Sequence, residues 1–82
     1  MRISVRFLCV DIPVGMGNGD ITLSEGATVS DAVAAVVALG DIQMPTAEIM
    51  KSLFLVNDQS AQPDSILRDG DNLSVVRPLA GG

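Results

Sequence analysis

The chain has 82 residues, of which 48% are apolar and 18% are charged, and its formal net charge is −5. This length allows one domain, and the apolar content excludes the intrinsically disordered class. The basic residues are scattered and only Phe7 and Phe54 are aromatic, which excludes the basic, stacking surface of a nucleic-acid-binding protein.

The sequence also has none of the features of a membrane or secreted protein. No apolar run approaches the roughly 18 residues that a transmembrane helix needs. The alternating start is unlike the continuous apolar core of a signal peptide. Cys9 is the only cysteine, so an internal disulfide cannot form. We therefore expect a cytoplasmic protein that makes no membrane contact.

The chain begins with two predicted strands joined by a long loop. Residues 2–8 alternate between polar and apolar side chains, as in a half-buried strand. Residues 11–19 are rich in glycine and end in Asn18-Gly19, a strong hairpin signal. The returning strand is predicted at residues 20–23. The residues expected to face inward are Ile3, Val5, Phe7, Ile21 and Leu23.

A single long helix is predicted next, from about Val29 to Leu39. Thr28 precedes the apolar periodic run. Asp31 lies three residues after Thr28, which is the spacing of a capping box, with Asp in place of the usual Glu. Gly40 stands where a glycine commonly ends a helix. The predicted apolar face consists of Val29, Ala32, Val33, Val36, Val37 and Leu39.

Shorter elements fill the rest of the chain. Residues 46–50 predict one short helical turn, residues 53–56 a strand that is apolar on both faces, and residues 59–62 a short edge strand. Residues 63–67 are interpreted as a tight helical turn, and residues 73–76 as the last strand. The residues expected to face inward are Ile66, Leu67, Leu73 and Val75.

The order of these elements predicts an α+β fold of the β-grasp type. One main helix would cover one face of a mixed sheet of four to five strands, with the first and last strands adjacent in its middle. We expect residues 1–77 to form this domain and residues 78–82 to form a flexible tail, because Pro78 cannot donate to a ladder.

No side-chain catalytic or metal site is evident in the sequence. Histidine is absent, and Cys9 is better interpreted as a small buried apolar residue than as a nucleophile. Asp69 and Asp71 flank a glycine, a pattern more typical of a turn than of a metal site. The alternating glycines at 15, 17 and 19 precede a strand instead of a helix, so they indicate a flexible loop and no phosphate-binding site.

A partner surface is suggested by the third strand. Leu53 and Leu55 face one side of the sheet and Phe54 and Val56 face the other, and Val76 of the last strand adds to whichever pair lies on the uncovered side. An exposed apolar patch on a sheet marks an interaction site. Two alternatives remain open: these residues form a docking surface, or residues 41–51 fold back and cover them.

The C-terminal five residues, Pro78-Leu79-Ala80-Gly81-Gly82, are the most informative stretch. They are either a frayed end or a segment built for insertion. Extended, they reach roughly 17 Å, enough to place the Gly82 carboxylate in another protein's active site. Neither glycine adds steric bulk, and Pro78 lowers the entropy lost on insertion.

The element order together with this tail resembles the ubiquitin-like sulfur carriers, among them the small subunit of molybdopterin synthase and the sulfur carrier of thiamine biosynthesis. The resemblance covers essentially the whole chain. Its local elements are the Thr28-capped helix, Leu55-Val56-Asn57-Asp58, Leu67-Arg68-Asp69-Gly70-Asp71 and the Pro78–Gly82 tail, which looks most like that of the molybdopterin subunit.

This resemblance implies a carrier with no catalytic residues or bound cofactor of its own. A ubiquitin-activating-type enzyme would use ATP to adenylate Gly82, and the adenylate would become a thiocarboxylate that delivers sulfur to a synthase subunit. Arg77, at the base of the tail, would join Leu53, Leu55 and Val76 in meeting partners. The alternatives are another sulfur pathway, a protein modifier conjugated through Gly82, or a plain binding module.

Overall fold

The computed structural model describes residues 1–9, 18–40 and 45–77. Among these residues no helix is long and apolar enough to cross a bilayer. The elements in chain order are β1 (Arg2–Cys9), β2 (Gly19–Thr22), α1 (Val29–Ala38), α2 (Thr46–Ile49), β3 (Leu53–Val56), β4 (Gln59–Ala61) and β5 (Asn72–Arg77).

The strands form one five-stranded mixed sheet in the order β2-β1-β5-β3-β4. The central pair, β1 and β5, is parallel, and every other pair is antiparallel. α1 packs on one face, so the predicted α+β, β-grasp architecture is confirmed. The predicted adjacency of the first and last strands is confirmed as well.

The hydrophobic core lies between α1 and the face of the sheet that it covers. Strand alternation directs every second side chain of β1 and β5 to this face, and the helix contributes residues at helical spacing. Burying these side chains is the main stabilising term for a domain of this size. The largest fully buried residues are Ile3, Ile49, Leu67, Leu73, Val29, Val33 and Val75.

The capping box of α1 is present as predicted. The Asp31 amide donates to Thr28 Oγ1 at 3.3 Å, and the Thr28 amide donates to Asp31 Oδ2 at 2.9 Å. At the other end, Gly40 has φ 85°, the left-handed conformation that favours glycine after a helix. Local sequence signals therefore set both ends of this helix.

The turn after β3 is tied to the start of β5. Asn57 and Asp58 both have positive φ, 51° and 67°, as in the tight turn of a β-hairpin. Asn57 Nδ2 donates to Asp71 Oδ1 at 2.9 Å, and Asn57 Oδ1 accepts from the Asn72 amide at 3.0 Å. These bonds hold β5 beside β3 where the two strands first meet.

The adjacent turn fastens β5 to β1. Asp69 Oδ1 accepts from the Arg2 amide at 2.7 Å, and the Gly70 amide donates to the Arg2 carbonyl at 2.8 Å. Asp71 Oδ2 also accepts from the Arg68 amide at 2.8 Å. Asp69 and Asp71 thus organise a turn with their carboxylates, as the sequence indicates.

Two residues predicted to face inward are exposed instead. Leu39 is 66% exposed because α1 ends at Ala38 and Leu39 is its C-cap. Ile66 is 68% exposed because no helical turn forms there: Ile66 is extended and bridges to Thr28. Neighbouring residues of an extended segment point in opposite directions, so Leu67 is buried and Ile66 is not.

Replacing Thr28 with alanine should remove one bond of the capping box and lower the free energy of unfolding by about 1 kcal/mol. Thr28→Ser, which keeps the hydroxyl, should stay within about 0.5 kcal/mol of the wild type. Urea unfolding followed by circular dichroism measures both. Equal losses in the two variants would show that the hydroxyl contributes nothing.

Candidate functional site: the open sheet face and the end of β5

The face of the sheet opposite α1 carries an apolar cluster at one end. In register, Val76 of β5 lies between Leu53 of β3 and Leu8 of β1, and Leu55 is the next residue of β3 on the same face. Leu53 is 61% exposed and Leu8 is 50% exposed, while Leu55 and Val76 are partly exposed. We call these four residues the open-face patch.

Residues 45–51 do not cover this patch. Ile49 of α2 is fully buried in the core between sheet and α1, so α2 lies on the helix side. Residues 41–44 lie outside the described part of the chain. Leu8 is a member of the patch that the sequence analysis missed, although the alternation that places Phe7 inward also directs Leu8 outward.

The other end of the same face is polar. Ser4 Oγ donates to Asp20 Oδ1 at 2.8 Å, and Arg2 Nε lies 3.6 Å from Asp20 Oδ2. Arg6 pairs in register with Ser74 between the two ends. The open face is therefore divided, and its apolar part lies at the end where β5 finishes.

Arg77, the last residue of β5, is separated from the open-face patch. By alternation it follows Val75 to the helix side, where its side chain is 24% exposed. Its Nη1 donates to the Glu48 carbonyl of α2 at 3.1 Å, and its Nη2 lies 4.0 Å from Glu48 Oε2. The sequence analysis grouped Arg77 with Leu53 on one partner surface. In the structure Leu53 lies on the open face and the Arg77 side chain lies on the helix side.

Glu48 links Arg77 to the chain's single lysine. Lys51 Nζ lies 3.0 Å from Glu48 Oε1. The hydrogen bond from Lys51 lowers the pKa of the Glu48 carboxyl below its ordinary value of 4.5, the charge of Lys51 adds to the lowering, and Arg77 contributes less. The end of β5 is thereby joined to α2 through a small charged cluster: Glu48, Lys51 and Arg77.

The predicted reactive segment lies outside the described residues. Pro78, Leu79, Ala80, Gly81 and Gly82 belong to it, so their roles and the domain boundary at residue 77 stay predictions. The same holds for the side chain of Cys9 and for the glycines at 15 and 17. Within residues 1–9, 18–40 and 45–77, no group of three or more His, Cys, Asp or Glu side chains is arranged to hold a metal ion.

Comparison with known proteins gives one family and several similar structures. Residues 15–82 match the ThiS family, and no curated protein matches the sequence. The crystal structure of SAMP1 from Haloferax volcanii is similar with a TM-score of 0.79 at 19% identity. A chain in the protein–protein complex of subunits 1 and 2 of molybdopterin-converting factor from Helicobacter pylori 26695 is similar with a TM-score of 0.66 at 23% identity. Both similarities cover 100% of each chain.

The charged cluster should stabilise the fold in a pH-dependent way. Because the folded-state pKa of Glu48 is lowered, its contribution is present above the unfolded pKa and is lost as pH falls through the folded pKa. We expect Glu48→Gln to lower the free energy of unfolding at pH 7, and expect its difference from the wild type to shrink as the pH falls through the lowered folded-state pKa of Glu48.

Urea unfolding at several pH values measures this difference. Glu25→Gln makes the same charge change in an exposed turn and serves as the control. A Glu48→Gln effect of equal size at both ends of the pH range would show that the carboxylate charge is not responsible.

Proposed function

This chain belongs to the ThiS family of ubiquitin-like sulfur carriers, and on that basis we propose that it carries sulfur on its C-terminal residue, Gly82. The family match that supports this proposal runs to Gly82 itself. The reactive group would be the terminal carboxylate, and the residues before it would carry it into a partner's active site.

The proposed chemistry follows from the weakness of a carboxylate as an electrophile. A ubiquitin-activating-type partner would join the Gly82 carboxylate to the α-phosphate of ATP and release pyrophosphate. A sulfide-level donor would then attack the acyl carbon, form the carbon–sulfur bond and expel AMP. The sulfur of the resulting thiocarboxylate would attack an electrophilic carbon of the acceptor, and water would then cleave the bond between the acyl carbon and sulfur, which leaves the sulfur on the acceptor and regenerates the carboxylate. ATP is used by the partner, and we propose that this chain contributes presentation without catalysis.

The open-face patch is our proposed docking surface for the partner. Its exposed leucines lie at the end of the sheet where β5 finishes, beside the start of the predicted tail. A protein that covers Leu8 and Leu53 would therefore be correctly placed to receive residues 78–82. Removing exposed apolar side chains from water is a main favourable contribution to the free energy of protein association.

We further propose that the sulfur acceptor is a synthase subunit of molybdopterin biosynthesis. The support is the similar structure from Helicobacter pylori, which is a complex of subunits 1 and 2 of molybdopterin-converting factor. The Pro78–Gly82 tail of this chain also looks most like that of the molybdopterin subunit. Sulfur transfer from the purified thiocarboxylate to a molybdopterin-type and to a thiamine-type acceptor distinguishes the two pathways.

Incubation with ATP, an activating enzyme and a sulfur donor should convert Gly82 to a thiocarboxylate. Intact-mass spectrometry should show a gain equal to the difference between one sulfur and one oxygen atom. A chain that lacks Gly82 ends in Gly81 and keeps every described residue, so it is the matched control and should gain nothing. An unchanged wild-type mass under these conditions would contradict the proposal.

Leu53→Ser should weaken partner binding without unfolding the protein. Because Leu53 is exposed, its loss should change the free energy of unfolding by less than about 0.5 kcal/mol, while affinity for the synthase subunit should fall about tenfold or more. Leu39→Ser, the matched control, removes a leucine of similar exposure at the end of α1.

Isothermal titration calorimetry with the synthase subunit compares the two leucine variants. We expect Leu39→Ser to bind like the wild type, since Leu39 lies outside the open-face patch. Equal affinities for all three proteins would exclude the patch as the docking surface.

A further inference from the structure

The last residue of β5, Arg77, is bonded differently from the four residues before it, which pair with a strand on each side. The antiparallel ladder between β3 and β5 ends at the pair Leu53–Val76. On its other side, β5 stays paired through Arg77, which lies opposite Cys9 of β1. The ladder between β5 and β3 therefore does not extend to Arg77. The Arg77 side chain instead contacts α2.

Arg77 contacts a residue of α2, Glu48, that is held in place by the core. Glu48 directly precedes Ile49, whose side chain is fully buried in the core. The Glu48 carbonyl, near the C-terminal end of α2, accepts from the Lys51 amide at 3.1 Å and from Arg77 Nη1 at the same distance. The Arg77 side chain thus ties the strand end to the core through α2.

We propose that Arg77 is a positioning residue that fixes the strand end from which residues 78–82 depart. This inference rests on the proposed function, in which Gly82 must enter a partner's active site. A tail that starts from a fixed point loses less conformational freedom on insertion than one that starts from a frayed strand. Arg77 acts on the tail through α2 and touches no substrate.

The arrangement also explains why arginine suits this position better than lysine. The guanidinium carries several N–H groups in one plane, so it can reach the Glu48 carbonyl with Nη1 and approach the carboxylate with Nη2. A lysine ammonium at the same position keeps the charge but is a single point of contact. Arg77→Lys should therefore retain only part of the effect.

The first test uses the isolated protein and needs no partner. We expect Arg77→Ala to lower the NMR backbone order parameters at positions 76 and 77. The values should fall from the rigid level of about 0.85 toward about 0.6. Arg77→Lys should give intermediate values. Arg68→Ala removes the same charge from the turn that precedes β5 and should leave the end of β5 unchanged.

The second test measures thiocarboxylate formation by the activating enzyme. Because the cost of ordering the strand end is met before any bond changes, we expect Arg77→Ala to raise KM about fivefold with kcat nearly unchanged. Arg77→Lys should fall in between, and Arg68→Ala should match the wild type.

The outcomes separate this inference from the proposed function. Equal order parameters in Arg77→Ala and Arg68→Ala overturn the positioning role, and so does a rise in KM without a loss of order, which would mean that Arg77 contacts the partner itself. If the wild type forms no thiocarboxylate, the proposed function fails, and the order parameters still decide the role of Arg77. Should Arg77→Ala not fold, Arg77→Lys against Arg68→Ala decides it in the same way.

Discussion

The parallel pairing of β1 and β5 is the interaction on which the rest of the structure depends. It joins the first strand of the chain to the last, from Ser4–Asn72 to Cys9–Arg77, at the centre of the sheet. Its inward side chains, such as Phe7 and Val75, form the part of the core that α1 covers. Parallel strands need a long connection, and here everything between residues 9 and 72 is that connection. The other strands add to the outer edges of this central pair.

The same pairing also determines which side chains lie on each face of the sheet where β5 ends. Because side chains alternate along a strand, Val76 and Arg77 are neighbours in sequence but face opposite sides of the sheet. Val76 completes an apolar surface between Leu8 and Leu53, and Arg77 reaches α2 on the helix side. One end of the sheet thus presents an apolar face on one side and a charged cluster on the other, and both adjoin the point where residue 78 follows.

Features encoded by neighbouring residues could be predicted from the sequence. The alternation of β1 and the capping box of Thr28 depend on residues a few positions apart, and the structure has them as expected. The link between Arg77 and Glu48 could not be predicted, because the two residues are 29 positions apart and meet only once α2 is packed beside β5. The predicted burial of Ile66 was wrong for a related reason. Its exposure follows from a backbone bridge to Thr28, which is a contact between distant segments.

A carrier with its reactive group at the chain terminus separates two tasks that an enzyme combines at one site. Recognition is assigned in our proposal to the open-face patch, and presentation to the segment that begins after Arg77. The exposed leucines of the open-face patch and the Arg77 side chain lie on different faces of the sheet, so the patch does not use the contact between Arg77 and Glu48. A change of the exposed leucines to suit a different partner therefore removes none of the contacts between Arg77 and Glu48.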